Sequence, residues 1–103
     1  MIKTQRQASD GELREMARYF YALKDVLRLR ILVTLGSGEM TVSELARELR
    51  ISQPLVSFHL RPLRALRLVQ VRRAGREVFC SVDLAEIQRR QEEFMNLLMR
   101  ANT

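Results

Sequence analysis

The stretch TVSELARELRISQPLVSFHLRPLRAL, residues 41–66, decides the fold. Thr41 and Glu44 stand in a T-x-x-E spacing, in which the hydroxyl accepts from the backbone N–H three residues on and the carboxylate reaches back to the cap. Leu45, Ala46 and Leu49 then recur at helical spacing. Arg50 and Ile51 break out of that pattern, Ser52 offers a second N-cap, and Pro54 lies in the first turn of the next helix, where its missing N–H costs nothing. Two capped helices joined by so short a turn predict a helix-turn-helix over 41–66.

The second of these helices points to function. At about 100° per residue, Leu55, Val56, Leu60, Leu63 and Leu66 share one arc with His59. Gln53, Ser57, Arg61 and Arg64 fall on the opposite side, flanked by Pro54 and Phe58. Amide and hydroxyl groups near a helix start suit base edges, and guanidinium groups further along suit phosphates. An ordinary amphipathic helix with a solvated polar face has the same periodicity. The basic surroundings and the hairpin that follows favour nucleic-acid readout.

The wider composition agrees. The chain has 103 residues, enough for one domain with a modest core. Lys+Arg 18 against Asp+Glu 12 gives a formal charge of +6, which suits a polyanionic partner. A single Cys rules out an intrachain disulfide and fits a reducing cytoplasm. No apolar run approaches the roughly 18 residues of a membrane span, and MIKTQRQASD lacks the apolar centre of a signal peptide. The expectation is a cytoplasmic protein with no membrane partner.

Upstream, residues 1–8 read as a flexible arm. Ser9 and Glu12 repeat the capping spacing, so a helix is expected over 9–23, with Leu13, Met16, Ala17, Phe20 and Leu23 along one face. A second helix from Asp25 to about Leu35 is apolar over most of its surface and is expected to be the buried centre of the domain. Gly36-Ser37-Gly38 ends it.

Downstream the period changes from helical to alternating. Val69–Arg73 and Glu77–Val82 predict a β-hairpin over 69–82, its tip formed by Arg72, Arg73, Gly75 and Arg76. Arginines around a tip glycine suit phosphates or a minor groove; equally, cationic residues protect an edge strand from aggregation. After a helix-turn-helix the hairpin completes a winged helix. Asp83 caps a last helix over 83–101, with Leu84, Ile87, Phe94, Leu97 and Leu98 facing one way. The two terminal helices, 9–23 and 83–101, carry more apolar surface than so small a core covers. A symmetric dimer through Leu13, Met16, Phe20, Ile87, Phe94 and Leu98 is expected, in preference to the two helices only packing on each other within one chain.

The strings ALKDVLRLRIL, GEMTVSELARELRISQPLVSFHLRPLRALRLV and RRAGREVFCSV resemble the ArsR/SmtB family of bacterial winged-helix repressors, over nearly the whole chain from about Leu13 to Leu98. The most specific parts are R-L-R-I-L at 28–32, S-Q-P-x-V-S-x-H-L at 52–60 and the R-R-x-G-R wing. The resemblance implies a homodimer formed through the first and last helices. It implies operator binding by Ser52, Gln53, Ser57, Phe58 and Arg61, and loss of binding when an effector is sensed.

The fold class expected is mainly α with a small β-hairpin: a dimeric winged helix-turn-helix of five helices and a two-stranded wing. The DNA-binding residues expected are Ser52, Gln53, Ser57, Phe58, Arg61, Arg64, Arg72, Arg73 and Arg76. The chain departs from the family's metal sensors. Where a C-V-C-D-L segment supplies thiolates, this chain has Thr41-Val42-Ser43-Glu44-Leu45, and its last helix has no His. Soft thiolate and imidazole ligands select zinc, nickel or copper, so no metal or cofactor is expected. His59 and Cys80 read as core residues. One His and one Cys, with no Gly-rich phosphate loop, offer no catalytic constellation, so an enzyme is not expected. Two alternatives stand beside the repressor: a winged helix used for protein–protein contact, and a sensor with a carboxylate/His metal site. Gln53 and Ser57 near the helix start favour base readout, because a purely electrostatic face has no need of an amide there.

Overall fold

Helix boundaries in this chain are written in side-chain oxygens. In the computed structural model, which describes residues 8–102, the order is α1 (Asp10–Leu23), α2 (Val26–Leu35), β1 (Met40–Thr41), α3 (Val42–Leu49), α4 (Gln53–Ala65), β2 (Val69–Ala74), β3 (Glu77–Val82) and α5 (Leu84–Asn102). Ser9 Oγ accepts from the Glu12 N–H at 3.1 Å and Glu12 Oε1 from the Ser9 N–H at 3.0 Å, a complete capping box. Thr41 and Glu44 repeat it at 3.0 and 2.9 Å. Asp25, Ser52 and Asp83 cap α2, α4 and α5 with single side chains.

Two helices end on left-handed arginines. Arg50 (φ 58°) follows α3 and Arg67 (φ 62°) follows α4. In each case the next residue's N–H reaches five positions back: Ile51 to the Ala46 carbonyl at 3.0 Å and Leu68 to the Leu63 carbonyl at 2.9 Å. Arg50 and Arg67 themselves donate to the carbonyls of Arg47 and Arg64. This is the Schellman arrangement, usually built on glycine. It lets α4 turn into β2 across only Leu66, Arg67 and Leu68.

The wing carries one strand more than its alternation predicted. β1 lies beside β3, giving the antiparallel order β1-β3-β2 with Met40 opposite Cys80 and Thr41 opposite Phe79. Two residues are too few to show a period. β2 and β3 pair from Val69–Val82 to Ala74–Glu77 around Gly75 (φ 62°).

Tyr19, Ile31, Leu35, Leu45, Val56, Leu63, Leu68, Val69 and Cys80 form the fully enclosed centre. The second helix is not its all-round hub. α2 packs against α1, α3, α4 and β3 on one side only. Ile31 and Leu35 are buried there, whereas Val26 and Val33 are 65% and 76% exposed. An apolar helix with neighbours on one side leaves its far side in solvent whatever its composition.

The terminal helices pack on each other within one chain. They pack together through Phe20 against the Phe94 edge, 4.9 Å between centroids, through Gln91 Nε2 donating to the Tyr19 hydroxyl at 2.7 Å, and through Arg100 with Glu12 at 2.9 Å. They also leave Leu13, Phe20, Met95, Leu98 and Met99 exposed. Of the residues expected at a dimer contact, Met16 is buried inside its own protomer. Ile87 and Phe94 are half-buried against the same core. Of the arm expected over 1–8, residues 1–7 lie outside the described residues, and Ala8 packs on the core.

Candidate nucleic-acid interface

α4 presents two faces of opposite character because its N-terminus is fixed by Ser52 and its inner row by the core. Val56, His59, Leu60 and Leu63 point inward. Gln53, Ser57, Phe58, Arg61 and Arg64 are exposed on the outer side. The wing folds back beside this outer face. Between them lies a groove of about 400 Å³, its walls including Ser43, Gln53, Ser57, Arg61, Arg64, Arg73 and Arg76. Four guanidinium groups from two separate elements therefore converge on one concavity, with hydroxyl and amide groups at its α4 N-terminal end.

The residues expected at the interface divide by where the strands send them. Neighbours on a strand point to opposite faces of the sheet. Arg73 lines the groove, while Arg72 is directed away from it. Arg72 Nη2 and Nε donate to the Glu39 carboxylate at 2.8 and 3.1 Å, and its guanidinium lies 4.3 Å above the Phe79 ring. This contact holds the Glu39 carboxyl below its ordinary value and raises that of Arg72. Arg72 thus ties the wing to the segment before β1, and the arginine cluster expected at the hairpin tip is split. Ser52 is placed as a cap, its Oγ accepting from the Leu55 N–H at 3.2 Å. Phe58 is 53% exposed, and its ring meets His59 edge-on at 5.2 Å.

His59 sits at the back of α4, where Arg28 Nε donates to its Nδ1 at 3.4 Å and an Asp25 carboxylate oxygen lies 3.9 Å away. The two backbone N–H groups of Arg28 and Leu27 that cap onto Asp25 hold its carboxyl below the usual carboxylate range, Arg28 first. Among the described residues, no three His, Cys, Asp or Glu side chains come together as a metal site. Cys80 is fully buried on β3, and burial pushes its thiol up.

Ser43 and Glu77 are among the groove residues that the sequence reading did not place at the interface. Gln53 Nε2 donates to Ser43 Oγ at 3.0 Å, joining the first residue of α4 to the start of α3. The only signal available was the helix-turn-helix itself, whose tight turn brings the two helix starts near one another.

Residues 25–71 match the family described as bacterial regulatory protein, arsR family. The chain is 42% identical over 71 residues to a transcriptional repressor SmtB homolog of Synechocystis, covering 69% of this chain and 54% of that protein. It is 32% identical to the transcriptional repressor SdpR of Bacillus subtilis, covering 71% of this chain and 81% of that protein. The match thus spans about half the length of several curated relatives and most of another. An ArsR-like transcriptional regulator from Rhodococcus superposes with a TM-score of 0.79 at 30% identity, covering 89% of this chain and 87% of that structure.

Proposed function

We propose that this chain, which belongs to the arsR family of bacterial regulatory proteins, is a repressor that binds an inverted-repeat DNA operator as a homodimer and is released by an effector. Its relatives are transcriptional regulators, not enzymes, and its fold is the winged helix-turn-helix of that family. Among the described residues no helix is long and apolar enough to cross a membrane.

The observation that carries the proposal is the groove between α4 and the wing. Arg61, Arg64, Arg73 and Arg76 border it, and Gln53 and Ser57 stand at its α4 end. Phosphate contacts hold a protein on the duplex in a fixed register, and polar groups at the helix start then read base edges. A partner that was merely acidic would make no use of the amide and hydroxyl that Gln53 and Ser57 turn toward the groove. Support for the dimer is the exposed row on the outer side of α1 and α5, which a second copy would cover symmetrically.

Selection of bound duplexes from a random pool, followed by footprinting, tests this. The expected product is an inverted repeat with half-sites about one helical turn apart. Binding should weaken steeply as salt rises. A pool that shows no enrichment of sequence overturns the reading.

A further inference from the structure

We infer that Ser43 is a positioning residue for base readout, and that through it Gln53 selects adenine over guanine at one base pair of each half-site. The inference rests on the DNA-binding reading above and deepens it.

The argument is an inventory of donors and acceptors. A glutamine amide offers one carbonyl oxygen and two N–H groups. In this protein one N–H of Gln53 is already engaged, donated to Ser43 Oγ at 3.0 Å. What remains is one acceptor and one donor. In the major groove adenine presents an acceptor, N7, beside a donor, the N6 amino group, whereas guanine presents two acceptors, N7 and O6. The remaining pair of Gln53 is complementary to adenine and can satisfy only half of guanine.

Ser43 also restrains the amide, which stands with an N–H rather than its carbonyl oxygen toward the hydroxyl. The last torsion of a glutamine is broad and nearly two-fold, so an unsupported amide samples both orientations. Here it is held from outside its own helix. Ser43 lies on α3, whose start is fixed by the Thr41–Glu44 capping box at 3.0 and 2.9 Å and by the pairing of Thr41 with Phe79 on β3. Gln53 is the first residue of α4, immediately after the Ser52 cap. Both ends of the hydrogen bond therefore rest on anchored backbone, and both side chains line the groove. An amide held before DNA arrives loses less freedom on binding, and its preference is sharper.

Sequence selection from a random pool is run on the full chain and on variants, with thermal melting as a check of folding. The parent should enrich adenine at one position of each half-site. Ser43→Ala should reduce the adenine-over-guanine preference at that position by roughly three- to tenfold and leave the other positions unchanged. Ser43→Thr, which keeps the hydroxyl, should restore it. Gln53→Ala should abolish the preference, and adding Ser43→Ala to it should change nothing more. Should Ser43→Ala fail to fold, Ser43→Cys keeps the size while offering only a weak acceptor, and it should relax the same position. A Ser43→Ala profile identical to the parent's overturns the inference, as does an even loss of affinity at every position. Either result still leaves a DNA-binding protein. A parent that enriches no sequence overturns the DNA reading itself.

Discussion

Arg90 donates from Nη2 to the carbonyl oxygen of Leu66 at 3.2 Å, so a side chain of the last helix closes the end of α4. The same guanidinium donates from Nε to Glu86 at 2.9 Å and lies 5.9 Å from the centroid of the Tyr19 ring. A helix end normally leaves its last carbonyls to water or to a cap. Here one of them is held by a side chain of α5. The end of α4 and the course of α5 are thereby tied together by one cation.

That cation's partner should make the fold acid-sensitive. The Glu86 carboxyl is held down to about 2 from an ordinary value of 4.5, first by Arg89 and then by Arg90. A folded-state value below the unfolded one contributes stability that is fully present above the unfolded value and is lost as pH falls toward the folded one. Glu86→Gln should therefore lower the urea midpoint at neutral pH, and the gap to the parent should close between pH 4.5 and about 2. Arg90→Met should cost about 1.5–3 kcal/mol at neutral pH, the range for hydrogen bonds made by a charged group. Denaturation series at several pH values check both; a gap that stays constant with pH would sink the first.

Arg67 pays for its place. At φ 62° it carries a steric cost on the order of 1 kcal/mol that glycine avoids. Arg67→Gly should raise the melting temperature in the absence of DNA by a few degrees, the usual consequence of that energy in a domain of this size. Operator binding at low salt should weaken, because an exposed cation beside the recognition helix is removed. A variant that melts below the parent would show that the added chain freedom outweighs the relieved strain.

Neighbouring arginines of the wing should behave differently. Arg73→Ala removes a groove cation, so it should weaken all DNA sequences alike and reduce the salt slope by about one. Arg72→Ala breaks the Glu39 pair and the Phe79 contact instead. Its effect on the salt slope should be smaller, and the loss should appear in how firmly the wing holds to the segment before β1. Titrations across a range of salt for both variants decide it, and equal slopes would mean that Arg72 reaches phosphate.

Leu98 is 52% exposed on the outer side of α5, beside the apolar groove it shares with Leu13 and Phe20. If the proposed dimer forms here, Leu98→Glu should give a monomer, with binding to the full inverted repeat reduced by at least tenfold. Light scattering reads the mass directly. A variant that remains dimeric moves the interface elsewhere.

Local rules made the caps legible: Ser9, Asp25, Thr41, Ser52 and Asp83 act within three residues of their own chain, and each could be read from spacing or position alone. Direction was harder. α2 is apolar nearly all round, so its sequence has no phase from which to tell Ile31, which is buried, from Val33, which is exposed. Arg72 and Arg73 were grouped at the hairpin tip although strand alternation separates them, and the inward turn of Val69 and Cys80 was the available clue. The Ser43–Gln53 and Arg90–Leu66 contacts join elements whose approach depends on packing angles, which no spacing along the chain records.

Cys80, the chain's single thiol, is wholly enclosed between Met40 and Val71 on the middle strand of the sheet. A thiol sealed in this way reacts only when its surroundings part, so the molecule contains its own clock. The rate at which an alkylating reagent consumes the thiol should follow how often the sheet and the helices around it part. When DNA clamps the wing, that clock should slow, and the slowing would report the grip in a sample with no dye and no tag.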